Sequence, residues 1–317
     1  MSRRTTYARQ VSESSAGWLF PLLLAVSVVL IVWIVTSTLM VADAALGDAL
    51  SGPVMWAIAA VLFATVFVFA IVQCHILMFR CGEPEDAIVA SAVVTALGVA
   101  TTIMLAWNSA WYLGPLQMKR LLDATAFSSV GVRTLTGVFD GFACWSAFAI
   151  LATSCTILRN DTNTQEELSR QIRGARILLN VGSAQLITGV AEVTALHTWP
   201  SNDLVRVASC CSDVLASTTD AAAVKAFKDT VQTSATAIAT LTGTACSLVL
   251  AAAYLPLGVL LRQRAYRVVK PWERTEAWLV MHGLSLQPMQ QLGKVLLMLG
   301  PIIAGGPAAT LIRFLAQ

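Results

Sequence analysis

Apolar residues run along this chain in long blocks, unlike the alternation of a half-buried strand or the one-sided stripe of a soluble helix. Blocks at about 17 to 41, 54 to 79, 86 to 113, 136 to 158, 177 to 197 and 232 to 261 each reach the roughly 20 mainly apolar residues that a helix needs to cross a hydrocarbon core of about 30 Å. Trp18, Trp56, Trp111, Tyr112, Trp199 and Tyr266 stand near block ends, where amphipathic rings meet the headgroup region. The pattern predicts an all-α, polytopic membrane helix bundle of about six transmembrane helices.

The first block follows Arg3, Arg4 and Arg9 and resembles a secretory signal, but Gly17 to Met40 spans 24 residues, beyond the roughly 7 to 15 of a signal's apolar core. It reads as a retained span. With the N-terminus placed inside, the inner segments hold 15 lysines and arginines and the outer segments 6. That bias predicts an N-terminus on the cytoplasmic side of an inner (plasma) membrane.

Several features predict helices longer than the membrane. Thr164-Gln165-Glu166-Glu167 is a capping box, in which threonine and glutamate satisfy free backbone donors at a helix start. A helix from there runs into the fifth span. The alanine-rich run after Ser217-Thr218-Thr219-Asp220 merges with the sixth, approaching 50 residues to Arg267 and bending near Pro256. Between them, residues 202 to 215 place Leu204, Val207, Cys211 and Val214 at helical spacing behind Asp203, predicting a separate short helix on the outer face.

The organisation expected is a cytoplasmic segment over 1–16, a bundle over 17–262 with an external helical insertion at about 198–231, and cytoplasmic amphipathic or apolar helices over 263–317. Val295 to Ile312 is uncharged and long enough for a seventh span. Pro301, Gly305, Gly306 and Pro307 interrupt it, which favours two short helices on the cytoplasmic face or a re-entrant hairpin.

Composition agrees with lipid as the solvent. The chain of 317 residues is 56% hydrophobic and 12% charged, about half the charged fraction of roughly 25% in soluble domains. Its net charge of +3 comes without a basic block, so nucleic acid is not an expected partner. Seven scattered cysteines and three histidines, His75, His197 and His282, fall at no metal-ligand spacing, so no metal or cofactor is expected. No HExxH, GxSxG or P-loop occurs, which disfavours an enzyme.

Polar residues inside the blocks carry the remaining information. Glu192 is the most deeply placed ionisable residue and shares one face of its helix with Gly182, Gln185 and Thr188; such groups usually face a bundle interior or a hydrated path. Thr236, Thr240, Thr244 and Ser247 form a matching stripe on the sixth block, and Ser91, Thr95, Gly98 and Thr102 another on the third. Small and hydroxylated residues also let membrane helices pack closely, which explains each of them singly. Gln185, Thr188, Glu192, Thr240 and Thr244 are the candidate polar interior. Asp140, at comparable depth, is expected in an interfacial ion pair. Arg262, Arg264, Arg267 and Lys270 form a basic cluster suited to anionic lipid or a partner.

These readings predict a non-enzymatic channel, transport or membrane-effector subunit for small solutes or ions. The bilayer is its first partner, together with further copies of the chain or another membrane or soluble protein. The alternatives are a scaffold or signalling subunit and, less favoured, a lipid-modifying enzyme using His75 or His197.

Overall fold

The computed structural model describes residues 52–107, 129–161, 164–210, 218–269, 272–282 and 288–305. The expected first span at 17–41, Lys270 and the end of the tail lie outside them. The described elements are helices: α1 (Gly52–Cys81), α2 (Pro84–Trp107), α3 (Ser129–Arg159), α4 (Gln165–Cys210), α5 (Thr218–Val268), α6 (Trp272–Met281) and α7 (Pro288–Ile303). The first five are long and apolar enough to cross a membrane and correspond to the second to sixth blocks.

Local chemistry sets the boundaries. Thr164 Oγ1 accepts from the Glu167 backbone at 3.3 Å and donates to Glu167 Oε2 at 3.1 Å, closing the first turn of α4. Gly82 N reaches Met78 O at 2.9 Å and Ala87 N reaches Glu83 O at 2.9 Å, so the link from α1 to α2 is very short. Pro84, which has no amide to orphan, suits the start of α2. Asp86 in that first turn pairs with Arg159 at 3.0 Å, joining acidic helix start to basic helix end.

α1 is apolar on every side, yet it packs one-sidedly. Trp56, Ala60, Phe63, Phe67, Ile71 and Cys74 are buried, while Ile58, Leu62 and Phe69 are exposed on the other face. Phe67 stacks on Phe142 of α3 with centroids 4.2 Å apart, and Trp145 meets the Phe67 ring edgewise. α2 joins at the periphery through glycines. A side chain on Gly98 would collide with the Trp145 ring, and one on Gly137 or Gly141 would collide with Leu105 or Thr102. Gly137 and Gly141 form the small-xxx-small spacing that lets membrane helices approach closely. The opposite face of α2, including Val93, Leu97 and Ile103, is exposed, which suits a lipid-facing surface.

α4 and α5 run antiparallel. At 46 and 51 residues they extend about 69 and 76 Å at 1.5 Å per residue, and the apolar stretches occupy only Gln165–His197 and Gln232–Val268. Pro256 lies within α5. Residues 202–210 are not the start of a separate short helix. They continue α4 to Cys210, because Pro200 removes a single backbone donor and the ladder resumes beyond it; Asp203 thus falls inside the helix instead of capping one. Residues 211–217 lie outside the described chain.

The tail forms two helices. Leu279 of α6 is fully buried, and the Arg176 guanidinium donates to the His282 carbonyl. α7 does not lie across the ends of the bundle; it runs beside the apolar stretches of α4 and α5. Ser183 Oγ donates to Leu297 O at 2.7 Å. Gly243 abuts the Pro301 carbonyl, and Gly305 abuts the Ala239 carbonyl. Missing side chains at both glycines let the backbones meet, so residues that break a helix also seat this one.

Candidate functional site

Glu192 is the centre of a polar line inside the bundle. Its side chain is 2% exposed, and Oε1 accepts a 2.7 Å hydrogen bond from Trp56 Nε1 of α1. Asp140 of α3 lies within electrostatic reach, and no ion pair to either carboxylate occurs among the described residues. The side chains expected to pair with Asp140, those of Arg133, Lys225 and Lys228, lie outside the described residues. A carboxyl group in this setting holds a proton or takes up a cation, because an uncompensated charge is too costly away from water.

Gln185, two turns away on the same face of α4, is fully buried. Among the described residues neither its Nε2 nor its Oε1 has a hydrogen-bond partner, and neither does Ser247 Oγ on α5. The two residues share one level. A β-carbon on Gly182 would lie 3.0 Å from Ile150 Cδ1 and 3.1 Å from Leu250 Cδ2. In antiparallel helices, three residues onward from Gly182 to Gln185 matches three residues back from Leu250 to Ser247. Thr188, half-buried on α4, turns its hydroxyl to the Gln185 carbonyl at 2.9 Å.

An aromatic ring separates the two levels. Gly189 lies between Gln185 and Glu192 on their shared face, and a β-carbon there would sit 3.0 Å from Phe63 Cε2. Phe63 is 1% exposed and meets Phe139 edgewise at 5.9 Å. Phe139 in turn contacts Trp56, centroids 6.4 Å apart. Sequence reading missed Phe63 because an apolar residue within an apolar block carries no signal; only Gly189, a side chain left out opposite it, hints at a close approach.

The other candidates separate. Thr240 is exposed and Thr244 half-buried, and each donates at 2.8 Å to a carbonyl of its own helix, Thr236 and Thr240 respectively. Of the α5 stripe, Ser247 is the member at the Gln185 level. On α2, Gly98 and Thr102 face α3, while Ser91 and Thr95 line an outer groove of about 740 Å³ with Phe79 and Val99. His75 reaches Thr95 at 3.3 Å, and His197 Nδ1 lies 2.8 Å from the Val193 carbonyl. No group of His, Cys, Asp and Glu suited to a metal ion occurs among the described residues.

The basic cluster divides too. Arg262 lies over the Tyr266 ring, 5.6 Å from its centroid, and Arg267 is exposed. Arg264 is 7% exposed and turned inward, so its guanidinium is engaged within the protein and not presented to a lipid or partner. It donates to Asn160 O at 2.8 Å, to Gln171 Oε1 at 3.2 Å and to the Leu158 carbonyl, with Asp161 at 3.5 Å. Gln171 Nε2 donates to Asn160 O at 2.9 Å, and Asn160 Nδ2 to Cys81 O at 2.8 Å. The clasp ties the ends of α1 and α3 to α4 and α5, supplying donors to carbonyls that a helix end leaves free.

Fold and site together define an all-α, multi-pass membrane helix bundle with a buried carboxylate. Comparison of the chain with protein-family models, curated proteins and solved structures finds no match.

Proposed function

We propose that this protein is a non-enzymatic transport-type subunit that passes or gates small solutes or ions across an inner membrane, with its N-terminus and the Arg264 end of the bundle on the cytoplasmic side. The observation that carries the reading is Glu192, a buried carboxyl group bonded to one neutral donor and sharing its helix face with the unpartnered amide of Gln185. A bundle that only anchored itself would gain by replacing both with apolar residues, since unmet polar groups cost about 1–3 kcal/mol each. Their presence fits a path in which a mobile species completes their bonding. Full-length protein reconstituted in liposomes tests this: flux of small ions is expected, and Glu192→Gln is expected to reduce it. Unchanged flux in that variant removes Glu192 from the path.

A second reading, a scaffold whose bundle anchors partners, draws on the length of α4 and α5, which exceeds the bilayer core about twofold. Purification in mild detergent separates the readings: a stoichiometric soluble partner supports the scaffold, and a homo-oligomer with ion flux supports transport.

A further inference from the structure

The transport reading leaves open what moves, and the bonding needs of the Gln185 level bear on that. Gln185 presents an unpartnered donor, Nε2, and an unpartnered acceptor, Oε1, and Ser247 Oγ does both. A bare cation would satisfy the two oxygens and be repelled by the amide nitrogen. An anion would satisfy the nitrogen and face the carbonyl oxygen. Water satisfies all three, as it does for most buried polar groups that lack a protein partner.

Resting on the transport reading, we infer that Gln185 and Ser247 form a water-holding station, that Glu192 is a proton-holding station on its far side, and that Phe63 is the apolar gate between them, so that the species conducted is the proton. The stations are about 10 Å apart along α4, a distance that three waters bridge once the Phe63 ring moves off Gly189. A proton then leaves the Glu192 carboxyl group for the first water. Each water accepts one proton and releases another toward Gln185, the water held there hands the last one on to bulk water at the Arg264 end, and Glu192 is reprotonated from the Trp56 end. No atom of Gln185 or Ser247 changes protonation; they orient the water.

Among the described residues, few titratable groups come near this line. α3 brings Asp140, within electrostatic reach of Glu192, with Cys144 beside Asp140 and Cys246 of α5 beside Cys144, and α1 brings Trp56 and Phe63, which do not titrate. α7 meets α4 on another side, at Ser183 and Ile187. Among the described residues Asp140 is thus the further carboxylate near Glu192, placed to relay a proton at the Trp56 end. With the ring seated, the apolar gap excludes water and the path is shut, as in hydrophobic gates that open by wetting.

The test uses the full chain in liposomes of neutral lipid carrying an internal pH-sensitive dye, with a potassium gradient and valinomycin as driving force. Wild-type vesicles are expected to change internal pH faster than protein-free ones. Gln185→Met, close in shape but without donors or acceptors, is expected to slow that change about tenfold, and Phe63→Ala to speed it by a similar factor. The double variant Phe63→Ala with Glu192→Gln is expected to be slow, whereas a leak through a damaged bundle would persist without the carboxyl group. Persistence in the double variant overturns the gate. If the wild-type chain carries sodium or potassium, read as tracer flux in vesicles without valinomycin, while the dye stays silent, the proton assignment falls and the transport reading stands. If it carries none of these, both fall.

Discussion

The indole of Trp56 and the carboxyl group of Glu192, 136 positions apart in the chain, share a 2.7 Å hydrogen bond inside the bundle. The bond ties α1 to α4 at a point where neither partner has water to fall back on.

Removing the donor should therefore cost more than an ordinary hydrogen bond. Trp56→Phe leaves Glu192 Oε1 buried and unmet, which is expected to destabilise the bundle by about 1–3 kcal/mol. Glu192→Gln keeps an acceptor for the indole and is expected to be near neutral in stability while impairing flux. Unfolding of both variants in mixed micelles checks the pair; equal losses would show that the charge, and not the bond, sets stability.

Much of the architecture was legible because lipid imposes length. A block of 20 or more apolar residues has few fates, and five of the six expected spans fall on described helices. The interior was less legible. α1 offers apolar residues all round, so nothing in its sequence marks Trp56, Phe63 and Phe67 as its inner face. Thr240 and Thr244 misdirect for a related reason: a threonine hydroxyl meets its own need at the carbonyl four residues back, so a polar stripe does not require a polar interior. Gln185 and Glu192 have no such local option, and they are the residues the structure buries.

The junction of α2 with α3 makes a packing prediction. Gly98→Ala places a methyl group against the Trp145 ring, and overpacking of this kind is expected to cost about 1–3 kcal/mol. Trp145→Leu should recover part of that loss in the double variant, a coupling that a double-mutant cycle measures. Simple additivity would mean that the two side chains do not meet.

Within the basic cluster, position predicts opposite outcomes for similar residues. Arg264→Met takes donors from the carbonyls of Leu158 and Asn160, while Asp161, 66% exposed, keeps its hydration; a loss of about 1–3 kcal/mol is expected from the buried carbonyl left unmet. Arg267→Ala, on the exposed surface, should stay within about 0.5 kcal/mol. Thermal unfolding of the two proteins decides, and equal effects would mean that the clasp contributes nothing to stability. Sequence alone lists these arginines as one cluster, because the carbonyls that distinguish Arg264 belong to a helix end about a hundred residues earlier.

The seat of α7 yields the last prediction. Gly243 and Gly305 let α7 lie backbone to backbone on α5, and Leu296 projects from α7 with 51% exposure, a position that faces hydrocarbon if α7 is embedded as deeply as the stretch of α5 it contacts. A cysteine at position 296 is then expected to resist a membrane-impermeant thiol reagent in intact vesicles and to react after detergent is added, with the modified peptide identified by mass so that the native cysteines do not interfere. Gly243→Val drives a branched side chain into the Pro301 carbonyl and should release the helix, making position 296 reactive without detergent. Ready labelling in the parent protein would place α7 in water, and Pro301 would then have to meet Gly243 outside the bilayer.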